Sequence, residues 1–211
     1  MSFDTLLLES LGSIATITLD RASSGNRVTE KMALELREAC QQVERNDSVR
    51  VVVITGRGAS FCLGTETSET GSAPRRAEKL ASLAASGHLA AIGKPLIGAL
   101  NGDAIDQGLE LALACDIRVA AADARLGLTQ IEDGLIPWDG GTQRLPRLVG
   151  RSQAMHMVLT GCLLTAHRAL EIGLVNRTET SAAETLTKAR KVAETIAGHG
   201  PVAARFLKEA V

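Results

Sequence analysis

Three carboxylates, Glu132, Asp133 and Asp139, crowd a Pro137–Trp138 pair in TQIEDGLIPWDGGTQRL, residues 129–145, and a fourth, Glu110, lies upstream in QGLELALACD. A carboxylate can move a proton in a reaction only when its surroundings tune its pKa and hold a partner within hydrogen-bond reach. On an open turn it is only solvated. Asp139 directly precedes Gly140-Gly141-Thr142, a helix start, so capping that helix competes with chemistry as its role.

The stretch NGDAIDQGLELALACD, 101–116, offers a second kind of chemistry. A buried strand ends at Leu100, Asn101-Gly102 turns, and a helix begins near Gln107. The first N–H groups of a helix have no intrahelical acceptor and carry the positive end of its dipole. Such donors can hold an oxyanion. Glu110 falls in the first turn, where it either complements the dipole of its own helix or serves whatever those donors hold.

Other chemistries are excluded by pattern. VVVITG running into GRGASF, 51–61, lacks the third glycine of a dinucleotide fingerprint, and no GK[ST] occurs. The cysteines Cys40, Cys62, Cys115 and Cys162 are scattered without a CxxC pair, so we expect reduced thiols, no metal and a cytoplasmic protein. His156, inside AMHMVL, sits in a helical apolar pattern and reads as a packing or surface residue. A net charge of -1 with no basic tract argues against nucleic acid, and no apolar run approaches the length of a membrane span. The opening MSFDTLLLES has no basic region before its apolar residues and carries Asp4 and Glu9, unlike a secretory signal.

The positioning elements follow from periodicity. The chain has 211 residues, enough for one domain with a sizeable core, and its 2% aromatic content leaves that core to aliphatic side chains. TLLLES and SIATITLD read as a strand pair around Gly12. Thr29 caps a helix whose apolar face is Met32, Leu34, Leu36, Ala39, Cys40 and Val43. RVVVITG (50–56) and KPLIGAL (94–100) are buried strands, DIRVAA another strand. The spacing predicts a helix over 77–92, a short helix over 109–115, and helices in RSQAMHMVLTG, TAHRALEIGL and 181–197. The polar stretch 63–78 is expected to be a mobile loop or lid. Alternating strands and helices without a low-complexity linker predict a single α/β domain over 1–211, and no sequence repeat of fixed period is present.

FCLGTE (61–66), KPLIGALNG (94–102), QGLELALACDIRVAA (107–121), GLIPWDGGTQRLPRLVG (134–150), MVLTG (157–161) and ALEIGLVNR (169–177) together resemble the crotonase, or enoyl-CoA hydratase/isomerase, family. The resemblance covers nearly the whole chain. It implies a crotonase-like spiral of ββα units, here with a shortened helical C-terminal part because the trimerisation helices of relatives fall beyond Val211. It implies an acyl-CoA thioester substrate, no cofactor apart from the CoA of that substrate, and a homotrimer or hexamer. By position, the oxyanion-hole N–H groups belong to Thr65 and Gln107, and Leu63, Gly64, Gln130 and Trp138 border the substrate. Catalysis falls to Glu110, with Asp139 as its candidate partner.

Two departures accompany the resemblance. Asp106-Gln107-Gly108 stands where the family usually has three glycines, which costs Gln107 the freedom of φ that glycine has. Hydratases of the family pair Glu110's counterpart with a second glutamate, and Gln130 occupies that slot. An amide has no proton to exchange near neutral pH. The expected activity is therefore a hydratase- or isomerase-like lyase without ordinary fast hydration. The alternatives are a family hydrolase, isomerase or carbon–carbon lyase working through Glu110 and Asp139, or a catalytically weak acyl-CoA-binding protein. Some relatives carry a catalytic aspartate in the turn at the Trp138 position, one place before Asp139.

Overall fold

A computed structural model of the chain describes residues 3–66 and 73–211. Strands β1 (Leu6–Leu11) and β2 (Ile14–Leu19) form an antiparallel pair with Leu6 opposite Leu19. The first long helix, α1 (Glu30–Arg45), is capped by Thr29, whose hydroxyl oxygen accepts from the Met32 N–H at 3.1 Å. It buries Met32, Leu36, Ala39, Cys40 and Val43.

Three ββα units follow. The first contains β3 (Val51–Gly56), β4 (Ser60–Cys62), α2 (Ala73–Leu83) and α3 (Ser86–Ala90). The second contains β5 (Leu96–Leu100), β6 (Asp103–Ile105) and α4 (Gln107–Leu113). The third contains β7 (Ile117–Ala121), β8 (Arg125–Gly127), a 3-10 turn at Gln130–Asp133 and α5 (Gly141–Thr160), which breaks helical geometry at Gly150. The remaining elements are β9 (Leu164–Thr165), α6 (Ala166–Glu171), β10 (Arg177–Glu179), α7 (Ala182–Ala197) and α8 (Pro201–Ala210).

The units spiral because their strands divide between two sheets. The first sheet runs β1-β2-β3-β5-β7-β10 and is parallel from β2 onward. The second runs β4-β6-β8-β9. Side chains of the central strands alternate between two apolar clusters, as a period of two requires. Val51, Val53, Ile97, Ala99 and Val119 pack with Ala189, Ala193 and Ala197 of α7. Val52, Ile54, Leu96, Leu100 and Ala120 belong to the larger core that α1 and α4 complete. Sheets covered on both faces need continuous apolar runs, which is why β3 and β5 carry no alternating polar residues.

Several local expectations change. The single helix over 77–92 is two helices, broken at Ala84 and Ala85. The polar stretch 63–78 is already helical from Ala73, and its residues 67–72 lie outside the described residues. The helix expected over 109–115 starts earlier, at Gln107. Strands β4, β6, β8 and β9 had no counterpart in the periodicity, because two or three residues are too few to show alternation.

Candidate active site

Both turns proposed to donate N–H groups leave strands of the second sheet. β4 leads into Leu63-Gly64-Thr65, and β6 leads through Asp106 into α4. They meet because Gly108 has no side chain: a Cβ there would lie 2.0 Å from the Cys62 carbonyl oxygen. Thr65 is fixed on its other side by a parallel bridge to Val28, in which the Glu66 N–H donates to the Val28 carbonyl at 2.9 Å. Among the described residues, neither the Thr65 N–H nor the Gln107 N–H has a hydrogen-bond acceptor. Gln107 is buried and Thr65 half-buried.

The conformational demand of the lost glycine triplet falls elsewhere than expected. Gln107 is the first helical residue, and Asp106 carries φ 52 and ψ -121, in the region that glycine adopts most readily. Its carboxylate accepts from the Thr129 N–H at 2.6 Å and from the Thr129 hydroxyl at 3.0 Å, which anchors the strained residue to the segment between β8 and the 3-10 turn. Burial raises the Asp106 pKa, against the lowering effect of those Thr129 bonds.

Glu110, in the first turn of α4, is fully buried. Its Oε1 accepts from the N–H groups of Asp139 and Gly141, each at 2.8 Å. The carboxyl therefore faces the start of α5 and does not complement the dipole of its own helix. Gly141 permits this approach, since a Cβ there would sit 2.9 Å from Oε1. Burial pushes the Glu110 pKa up to about 8, with the Asp139 charge adding to the rise and the two backbone donors opposing it. Such a carboxyl is mostly protonated at pH 7 and able to act in either direction.

Gln130 lies beside this carboxyl. It is buried, and its Nε2 lies 3.4 Å from Glu110 Oε2. Its Oε1 is buried without a hydrogen-bond partner among the described residues. A buried carbonyl left unpaired costs roughly 1–3 kcal/mol, so this position favours a ligand that brings an O–H or N–H donor.

Asp139 does not take the capping role at α5. The cap of α5 is Gly140, with no side-chain cap bond. The Asp139 carboxylate instead reaches α3: Oδ2 accepts from the Ala85 and Ser86 N–H groups, each at 3.0 Å, and from Gln107 Nε2 at 2.9 Å. Oδ1 accepts from the Ser86 hydroxyl at 2.9 Å. These four donors match the roughly four acceptor sites of a carboxylate. They also explain the break between α2 and α3, because the N–H groups at that junction are taken by Asp139. Ser86 and Arg144, whose Nη1 donates to the Ser86 hydroxyl at 2.9 Å and to the Asp139 carbonyl at 3.0 Å, were not foreseen as members of the cluster. Nothing in the spacing of Ser86 marks it. Arg144 lies one turn past Gly140 and was visible only as a helix residue.

The other candidates lie around this centre. Glu132 and Asp133 are exposed, and Trp138 is half-buried beside Asp139. Leu63 packs on Gly25, where a Cβ would meet its Cδ1 at 2.5 Å, and Arg27 Nη1 donates to its carbonyl at 2.6 Å. No group of three or more metal-ligating side chains occurs among the described residues. Nor is any helix among them long and apolar enough to cross a membrane.

One spiral of ββα units carries the two unengaged backbone N–H groups of Thr65 and Gln107 and the buried Glu110 carboxyl, linked through the Gln107–Asp139 and Asp139–Glu110 hydrogen bonds. Comparison with known proteins gives the family. The sequence profile described as enoyl-CoA hydratase/isomerase matches residues 9–211, and the chain belongs to that family. YngF of Bacillus subtilis (strain 168) is 40% identical over 203 residues, covering 94% of this chain and 77% of its own. The short-chain-enoyl-CoA hydratase of Clostridium acetobutylicum is 33% identical over 215 residues, covering 100% of this chain and 82% of its own. The crystal structure of an enoyl-CoA hydratase from Bacillus anthracis superposes with a TM-score of 0.93 at 34% identity, covering 98% of this chain and 82% of that one.

Proposed function

We propose that this protein is an acyl-CoA-processing enzyme that forms an enolate-like anion from a thioester and moves one proton at a time through Glu110. The Thr65 and Gln107 N–H groups hold the thioester oxygen, where negative charge develops as the adjacent carbon loses a proton and is discharged as that carbon regains one. Glu110 supplies or removes that proton. Its two backbone bonds occupy Oε1 and leave Oε2 facing Gln130, the side from which a substrate carbon or water is served. The carrying observation is the buried Glu110 carboxyl, raised to about 8, in the same small cluster as the two unengaged N–H groups.

Gln130 stands in the slot where a second carboxylate would serve concerted water activation. Gln130 can still hold a water or a hydroxyl through its unpaired Oε1, so its role is to orient and not to ionise. Loss of one acid–base partner is worth about 10²–10⁴-fold. The reading is therefore slow hydration of enoyl-CoA thioesters, or migration of their double bond by a single carboxyl, and both belong to lyase- and isomerase-type chemistry. Asp139, with four donors on its carboxylate, holds the α2–α3 junction and Gln107 in this scheme. Leu63, Gly64, Gln130 and Trp138 border the acyl group. The chain acts in the cytoplasm as a homotrimer or hexamer, and the exposed Val202, Phe206 and Leu207 of α8 support association.

The test is turnover of 2-enoyl-CoA and 3-enoyl-CoA thioesters beside binding of saturated butanoyl-CoA. Conversion of either enoyl substrate supports the proposal. Tight binding without conversion reduces the protein to an acyl-CoA binder, and absence of binding refutes the reading.

A further inference from the structure

The two residues assigned to the oxyanion hole are bonded to one another through their side chains. Thr65 Oγ1 donates to Gln107 Oε1 at 2.7 Å, across 42 residues of chain. The Gln107 amide is held at its other end as well: Nε2 donates to the Leu83 carbonyl at 2.6 Å and to Asp139 Oδ2 at 2.9 Å. The Gln107 side chain is fully buried, and all three of its contacts lie on separate segments.

We infer that Thr65 and Gln107 form a side-chain clamp that sets the separation and direction of the two N–H donors. The inference rests on the oxyanion-hole reading above and explains how the hole can work without a glycine triplet. Backbone donors stabilise developing charge only when they are already aimed at it. Here the turn that aims Gln107 contains a non-glycine residue at φ 52, a conformation that persists only where surrounding contacts enforce it. Asp106 is enforced by Thr129, and Gln107 by three side-chain bonds. Thr65 follows Gly64 in a turn whose backbone bonds run from Val28 N–H to the Gly64 carbonyl and from Glu66 N–H to the Val28 carbonyl. Neither of these bonds reaches the α4 turn. The Thr65 hydroxyl does, and it links the two donor-bearing residues directly.

Both are positioning residues through their side chains, apart from what their N–H groups do. The same contacts tie the hole to Asp139, and the Asp139 N–H holds Glu110. The carboxyl and the oxyanion donors thus share one hydrogen-bonded frame running Thr65–Gln107–Asp139–Glu110.

The test reads carbonyl polarisation directly. Butanoyl-CoA labelled with carbon-13 at the thioester carbonyl is bound to the full chain, and the carbonyl stretch is recorded by difference infrared spectroscopy. The parent is expected to move the stretch to lower wavenumber than in free ligand. Thr65→Val, which keeps the shape and removes the hydroxyl, should lose about half of that shift. It should lower kcat roughly 10-fold with KM nearly unchanged, less than the ~10²–10³-fold lost with a whole donor. Thr65→Ser should recover the shift. Gln107→Met, which also gives up the bonds to Leu83 and Asp139, should lose at least as much as Thr65→Val, and the double variant no more than Gln107→Met alone, since the Thr65 contact is already gone there. A parent that binds butanoyl-CoA with an unshifted carbonyl overturns the oxyanion-hole reading and the clamp with it. A parent shift retained in full by Thr65→Val overturns the clamp and leaves the hole standing.

Discussion

Glu110 Oε1 accepts the Asp139 N–H at 2.8 Å, while the Asp139 carboxylate turns away to the N–H groups of Ala85 and Ser86. The two acids are joined through backbone and share no proton. Each sits where another segment's N–H groups need an acceptor, Glu110 at the start of α5 and Asp139 at the start of α3. Glu110 Oε2 takes no backbone N–H and lies 3.4 Å from Gln130 Nε2, whereas both Asp139 carboxylate oxygens are engaged at α3.

Asp139 variants separate holding from proton transfer. Asp139→Asn keeps an oxygen for Ala85, Ser86 and Gln107 and presents an amide to the Ser86 hydroxyl. It should retain thermal stability and lose less than about 10-fold in turnover. Asp139→Ala strips four buried donors of their acceptor and should destabilise by at least roughly 1–3 kcal/mol in chemical denaturation. A loss of activity in Asp139→Asn on the order of 10²-fold or more, with stability intact, would make Asp139 a catalytic acid after all.

Gln130→Glu should restore a two-carboxyl hydratase. The new carboxyl would lie beside Glu110 Oε2 and share a proton with it, separating the two pKa values. Steady-state hydration of a short 2-enoyl-CoA should rise by about 10²-fold. No gain, with butanoyl-CoA binding preserved, would mean that the native reaction uses a geometry in which this slot carries no proton.

The stability of the folded chain should report the Glu110 carboxyl. Glu110 ionises near 4.5 in the unfolded chain and near about 8 in the folded one. Between those values the unfolded chain has released a proton that the native state keeps, so this group's contribution to stability falls as pH rises. Glu110→Gln retains an oxygen for the Asp139 and Gly141 N–H groups and does not titrate. Its melting temperature, measured across this window, should therefore overtake that of the parent toward the alkaline end. Parallel melting curves would show that Glu110 is ionised in the fold throughout.

The main sheet was readable because β3 and β5 are β-branched or aliphatic runs stopped by glycine or a turn. The second sheet was not, since β4, β6 and β8 are three residues each and owe their existence to neighbouring strands. For the same reason the ββα repeat leaves no sequence repeat. The break at Ala84 and Ala85 was invisible because apolar spacing runs across it, and the carboxylate that causes it lies 53 and 54 residues away. Thr65, Gln107 and Glu110 could be named together from the sequence because the motifs that carry them are specific. The side-chain partners of Gln107 and Asp139 were not, since each is set by segments brought together only by the spiral. Asp106 was visible as an intruder in a glycine slot, but which of the three residues takes positive φ depends on where α4 starts.

Proton exchange at the carbon next to the thioester tests the central claim most directly. Saturated butanoyl-CoA is incubated with the protein in deuterium oxide, and deuterium gained at that carbon is followed by mass spectrometry. Catalysed exchange needs only an oxyanion hole and a base, with no water addition and no second carboxylate. The parent should exchange at a rate that climbs with pH and levels off above about 8, where Glu110 is ionised. Glu110→Gln should lower the rate by about 10²–10⁴-fold while ligand affinity holds. Exchange of equal rate in parent and variant, or no exchange from a parent that binds the thioester, would contradict the account.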